Sequence, residues 1–166
     1  MIKNKKIDAD LLKACEINVK FFGKSYFDLN KIKFVKYPSR LKFNKIWKKR
    51  FKVDSMKNNV GFVKESSFFR KFCFNEFFEI HMLTKEVLKK EDYFDEKYYF
   101  KILVHELAHI FLKFFFNKES IEYPEEWLCY YIASQTEYHN PIFLKGKRLW
   151  DDINNLKRDR YQNDNL

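Results

Sequence analysis

The feature that most constrains the fold is an uninterrupted run from Tyr98 to Phe116 that contains neither Gly nor Pro. Asp95, a residue type that often caps helices, stands just before the run. The absence of helix-breaking residues over this length predicts one long α-helix. Its middle is mostly apolar, with Ile102, Leu103, Val104, Leu107, Ala108, Ile110, Phe111 and Leu112.

Two histidines interrupt this apolar run in the pattern His105-Glu106-Leu107-Ala108-His109. Residues four apart on a helix share a face, with Cβ atoms about 5–6 Å apart, so both imidazoles can direct a nitrogen to one ion. Glu106 lies about 100° round the helix, where it can take a proton from a zinc-bound water without being a ligand. The alternative, two core histidines, requires hydrogen-bond partners for both rings. The pattern favours one Zn²⁺ ion as cofactor and peptide hydrolysis as the reaction.

Two histidines leave zinc short of ligands, so a third ligand is expected downstream. Glu126 is the first candidate, because Cys129 and Ala133 follow it on one helical stripe of small residues that permits close helix packing. Glu125 and His139 are the competing candidates. Without a metal, Glu125 and Glu126 would be solvated carboxylates in the first turn of a helix.

The segment Leu103 to His109, preceded by a predicted strand and followed by Glu126 on a predicted helix, resembles the gluzincin branch of the zincins, including the ImmA/IrrE-like peptidases. The resemblance implies that the zinc ligands are His105, His109 and Glu126 and that the general base is Glu106. A second resemblance, to SprT-like peptidases, rests on the upstream order of helix, strands and motif and on a partial match at residues 139–143, and it implies His139 as the third ligand. The resemblance covers roughly residues 77–133.

Short aromatic or β-branched stretches elsewhere predict strands of a small sheet. These strands are Ile32–Val35, Leu41–Trp47, Val60–Val63, Phe68–Phe74 and Phe77–Leu83. The last is expected at the edge of the sheet beside the cleft, with Phe78, Ile80 and Met82 on one face and His81 at the surface. Further helices are predicted for Ala9–Phe22 with cap Asp8, for a short segment through Lys90 with cap Thr84, for Glu125–Glu137 and for Lys147–Arg158.

These elements predict an α+β fold. We expect a zincin-like domain whose small, mostly antiparallel sheet packs with the N-terminal helix, the helix of the two histidines and the third-ligand helix. Residues 1–166 are predicted to form a single domain, because this length supports one core.

A net charge of +10 favours an anionic partner. Residues 31–52 hold ten Lys or Arg and no acid, interleaved with aromatic residues. This stretch is either a nucleic-acid-binding surface, with lysines on phosphates and rings stacked on bases, or a half-buried strand with a solvated face.

Cys15, Cys73 and Cys129 are widely spaced and odd in number, so they are predicted to be half-buried thiols and not disulfides. No run approaches 18 apolar residues, and the sequence predicts a cytoplasmic protein without a membrane span. The leading hypothesis is a zinc metalloendopeptidase acting on an intracellular protein or peptide substrate. The alternative is a basic nucleic-acid-binding or regulatory protein whose zinc site is structural or catalytically idle.

Overall fold

The computed structural model describes residues 7–23, 27–56, 59–92, 95–115, 125–134 and 146–155. Within these ranges the chain forms an α+β fold with a three-stranded mixed sheet, which confirms the predicted class. The elements, in chain order, are α1 (Ala9–Phe22), a 3-10 turn (Leu29–Lys31), β1 (Ile32–Tyr37), α2 (Arg40–Phe51), β2 (Gly61–Glu65), α3 (Phe68–Phe74), β3 (Phe78–Leu83), α4 (Lys85–Lys90), α5 (Glu96–Phe115), α6 (Glu125–Ala133) and α7 (146–155).

The sheet has the order β1-β3-β2. β1 runs parallel to β3, with Ile32 opposite Phe78, whereas β2 runs antiparallel to it, with Gly61 opposite Met82. The prediction of a mostly antiparallel sheet was therefore wrong. β1 and β2 are consecutive in the chain but do not pair, because β3 lies between them. The helix α2 connects β1 to β2, and α3 connects β2 to β3. All six residues of β3 are buried, as expected for a strand covered on both faces.

Two of the five predicted strands are helices. Residues 41–47 lie in α2, where Phe43, Ile46 and Trp47 turn toward the core at the i, i+3, i+4 spacing of a helix. The lysines between these residues resemble a strand's alternation, which explains the wrong prediction. Residues 68–74 form α3, in which no residue is buried and Phe68 is 84% exposed. Its phenylalanines therefore do not form the inward face of a strand.

Helices cover both faces of the sheet. A Cβ placed on Gly61 would lie 3.0 Å from Met82 Cγ and 3.3 Å from Ile102 Cγ2, so α5 lies closely against this face. The opposite face is covered by α2, whose Phe43 ring lies 5.8 Å from the ring of Phe62. Because neighbouring residues of a strand point to opposite faces, Phe62 and Gly61 mark the two sides.

The helix α1 begins and ends as predicted. The side chain of Asp8 accepts hydrogen bonds from backbone N–H groups of the first turn, and Gly23 ends the helix with a left-handed φ of 77°. The helix packs against α5 through the buried amide of Asn18, which donates to the carbonyl of Val104 at 3.3 Å. This contact lies one residue before His105.

The end of the described chain packs against the same helices. The Trp150 ring of α7 contacts Phe21 and Phe22 of α1 and Phe115 of α5.

The predicted final helix is present over residues 146–155. The predicted third helix is present as Glu125–Ala133, and its expected continuation lies outside the described residues. No helix in the described ranges is both long enough and apolar enough to cross a membrane.

His81 is buried, which contradicts its prediction as a surface residue on an edge strand. It lies on the central strand β3, is 4% exposed and stacks on Phe62 with ring centroids 4.7 Å apart. Its Nε2 lies 3.1 Å from Glu79 and its Nδ1 lies 2.7 Å from the hydroxyl of Tyr37. A ring that donates from Nε2 to Glu79 accepts at Nδ1 from the hydroxyl of Tyr37. Burial lowers the pKa of His81 to about 4, so the neutral ring is the form that the fold holds.

Candidate metal centre

The long helix α5 presents the residues of the sequence motif in two directions. His105 is buried and His109 half-buried, and both imidazoles reach toward α6. Their Nε2 atoms are 3.2 Å apart. Glu106, one position further round the helix, is buried toward the sheet instead. The one-turn spacing of the histidines and the 100° offset of Glu106 therefore give the arrangement expected from the motif.

The helix α6 brings Glu126 to the two histidines. One carboxylate oxygen lies 3.2 Å from Nε2 of His105, and the other lies 3.4 Å from Nε2 of His109. The hydrogen bond with His105 is the largest cause lowering the pKa of the Glu126 carboxyl, which favours its ionised form. Residues on two helices thus converge on one point.

The distances fit a bound cation. Two atoms bonded at about 2.0–2.1 Å to a tetrahedral ion lie about 3.3–3.4 Å apart. The separations of 3.2, 3.2 and 3.4 Å among His105, His109 and Glu126 are close to this value. His105 Nδ1 is buried without a hydrogen-bond partner among the described residues, so the polar interactions seen for this ring are at Nε2. The three side chains are therefore spaced so that one cation could lie among them.

Cys129 is the site residue that the sequence interpretation missed. It lies one helical turn after Glu126, is 0% exposed and contributes, with His105 and His109, three ligand atoms within 4.8 Å of one another. These three residues could hold a metal ion. The sequence predicts Cys129 as a half-buried thiol and as a small residue that permits close packing, but not as a ligand. Its residue type, a common zinc ligand, and its i+3 spacing from Glu126 were the available signals.

The other two cysteines differ from the predicted half-buried state. Cys15 is buried on α1, and Cys73 is exposed on α3. Neither belongs to the group of ligand atoms around His105.

Glu106 is held by the edge of the sheet. Burial is the largest cause raising the pKa of its carboxyl, and electrostatic interaction with His105 and His109 opposes this effect. The backbone N–H of Val63 in β2 also donates to the carboxylate. Val60 and Ser66 form backbone hydrogen bonds with Leu83 and Phe77, on the side of β3. Only every second residue of a strand bonds to a given neighbour, so the backbone groups of Val63 point away from β3. The edge strand next to the site is therefore β2 and not β3.

Tyr130 is a phenol that lies against the His105 ring. Its ring centroid lies 4.5 Å from that of His105. Burial is the largest cause raising its pKa, and the negative charges of Glu126 and Glu106 act in the same direction, so the phenol keeps its proton. Tyr131 instead packs against Phe21, 5.5 Å between ring centroids.

The competing third-ligand candidates are not placed by the structure. Glu125 begins α6, but its side chain lies outside the described residues, as does all of His139. Glu126 is the carboxylate that the structure brings to both histidines.

The basic stretch 31–52 lies away from this centre. It spans β1 and α2, and α2 covers the sheet face opposite α5. Lys42, Lys45 and Lys49 share an exposed side of α2, whereas Lys48 pairs with Asp54. The expectation of a half-buried strand was wrong for this part, because the lysines stand on a helix.

No family model, no curated protein and no solved structure matches this chain.

Proposed function

We propose that this chain is a zinc-dependent endopeptidase with a zincin-like fold, in which His105, His109 and Glu126 hold one Zn²⁺ ion and Glu106 is the general base. The observation that carries the proposal is the convergence of the three ligand side chains at 3.2–3.4 Å, with a buried carboxylate beside them. A bound Zn²⁺ would lower the pKa of a coordinated water toward about 7 and polarise the scissile carbonyl.

The protein supplies the proton transfers. Glu106 is buried, and its raised pKa makes its carboxylate a stronger base than a solvated glutamate. It takes a proton from the attacking water and delivers it to the leaving amine. The donor Val63 N–H fixes the carboxylate in position. Tyr130, which lies next to His105 and keeps its proton, donates to the oxygen that becomes negative during the attack.

An extended peptide is the substrate shape that suits this edge. β2 has no further strand beside it among the described residues, and the backbone groups of Gly61 and Glu65, together with the carbonyl of Val63, point away from β3 and are not used by Glu106. Such an edge can pair with a peptide strand through main-chain hydrogen bonds. The carbonyl of the paired peptide then lies near Glu106, because Val63 contacts this carboxylate.

Metal analysis of five proteins tests the assignment. We expect about one zinc per chain in wild type, loss of zinc in His105→Ala, and retained zinc without hydrolysis of an unfolded protein in Glu106→Gln. Glu126→Gln should bind zinc more weakly than its neighbour Glu125→Gln, which serves as the matched control. Wild type purified without metal that also takes up none from a zinc-buffered solution would refute the proposal.

A second candidate function is a regulatory or nucleic-acid-binding protein with an idle zinc site. Cys129 favours it, because two histidines, a carboxylate and a thiolate can fill all four positions of a structural zinc site. The exposed lysines of α2 would then contact phosphates. In that case wild type and Glu106→Gln would both bind zinc, and neither protein would hydrolyse an unfolded protein.

A further inference from the structure

The thiol of Cys129 lies where a fourth ligand could approach the metal. Glu126 and Cys129 are three residues apart on α6, so both face the same side of this helix. Cys129 is completely buried between α6 and the histidines, and its ligand atom and theirs fall within 4.8 Å. It is part of a cluster of ligand types and not an isolated cysteine.

The spacing of the cluster suits a ligand that moves on and off the metal. A sulfur at about 2.3 Å and a nitrogen at about 2.0–2.1 Å from a tetrahedral ion lie about 3.6 Å apart. The ligand atoms of His105, His109 and Cys129 lie within 4.8 Å of one another, a range that includes this separation, and the distances of Glu126 to the histidines match a tetrahedral edge. The rotamers of the Cys129 side chain place its sulfur at different distances from the histidines.

We propose that Cys129 is a displaceable fourth ligand that closes the metal centre in the resting protein. This inference rests on the proposed function. With the thiolate bound, protein atoms fill the four positions and no position remains for water. When the side chain rotates away, His105, His109 and Glu126 keep the ion and the fourth position opens. A thiolate ligand also favours zinc over the oxygen-preferring ions magnesium and calcium.

Cobalt substitution tests the ligand. Full-length protein loaded with Co²⁺ should show the near-ultraviolet charge-transfer absorption of a thiolate bonded to cobalt. The absorption should persist in Cys15→Ser, the matched buried control on α1, and vanish in Cys129→Ser and Cys129→Ala while each protein still binds about one cobalt. The serine variant preserves the side-chain volume, so at least one of the two Cys129 variants should fold.

Acetohydroxamate tests whether the ligand is displaceable. This small chelator needs an open position on the metal, so we expect it to bind cobalt-loaded Cys129→Ala at least tenfold more tightly than wild type or Cys15→Ser. Equal affinity in all three proteins would overturn the closing role. Cobalt bound through the histidines without thiolate absorption would overturn the ligand role and leave the proposed function standing. Failure of wild type to bind cobalt or zinc would remove both proposals.

Discussion

His81 makes the stability of the fold depend on pH in a defined window. The ring is neutral in the folded protein because burial lowers its pKa to about 4, with Lys64 and Lys33 acting in the same direction and Glu79 opposing them. An unfolded histidine titrates near its ordinary value of 6.5. Between these two values the unfolded chain binds the proton more readily, so the free energy of unfolding falls as the pH falls.

The size of the effect follows from the shift. One pKa unit corresponds to about 1.4 kcal/mol, so the loss should begin below about pH 6.5 and reach about 3 kcal/mol near pH 4. A suitable control is His81→Phe, since the ring at this position stacks almost parallel to Phe62, at 2° between planes. The variant loses the bonds to Tyr37 and Glu79 at every pH but has no proton to take up there.

Urea unfolding at pH 7, 6, 5 and 4 measures the difference between the two proteins. We expect wild type to be the more stable protein at pH 7 and to lose about 3 kcal/mol relative to His81→Phe by pH 4. Carboxylates that do not contact His81 titrate alike in both proteins, so their contribution cancels in the difference. Parallel curves for the two proteins over this range would show that the buried ring does not carry the pH dependence.

Three further predictions concern other parts of the molecule. Gly146→Ala should lower the free energy of unfolding by about 1–3 kcal/mol, because its Cβ would overlap the carbonyl oxygen of Trp127; unchanged urea unfolding would contradict this. Phe72→Ser should change stability by less than about 0.5 kcal/mol and raise solubility, since the ring is 82% exposed; a large loss in urea unfolding would show that the ring is packed. Lys45→Glu with Lys49→Glu should weaken DNA binding and reduce its salt dependence in anisotropy titrations; no wild-type binding at low salt would refute the phosphate interpretation.

Long elements with complete local signals were predictable from the sequence. The helix α1 has both an aspartate cap and a terminal glycine, and α5 has an unbroken run of helix-compatible residues. The strands β1, β2 and β3 were located, but their order was not, because parallel pairing of β1 with β3 depends on contacts between distant residues. The short helix α3 was misread, since its exposed phenylalanines have the propensity of a strand without a buried face.

In the candidate site, too, the local geometry could be predicted from the sequence, whereas the contacts between helices could not. The common orientation of His105 and His109 could be predicted from their spacing, because residues four apart on a helix lie on the same face. The stripe on α6 indicated which side Glu126 faces, but the 3.2 Å approach to His105 depends on how two helices pack. The position of Cys129 beside the histidines depends on the same packing, and the local sequence carries no measure of that distance.

The contact between Glu106 and Val63 has a consequence for folding and local unfolding. The helices α5 and α6 follow each other in the chain, whereas the sheet depends on distant pairs such as Tyr37 and His81, 44 residues apart. Among the described residues β2 is paired with a strand on one side only, and segments with fewer partners open at lower free energy. Detachment of β2 would release Glu106 while the ligands on α5 and α6 stay together. Amide exchange at β2 faster than at α5 would therefore report a population of molecules that retain the metal ligands and lack a positioned base.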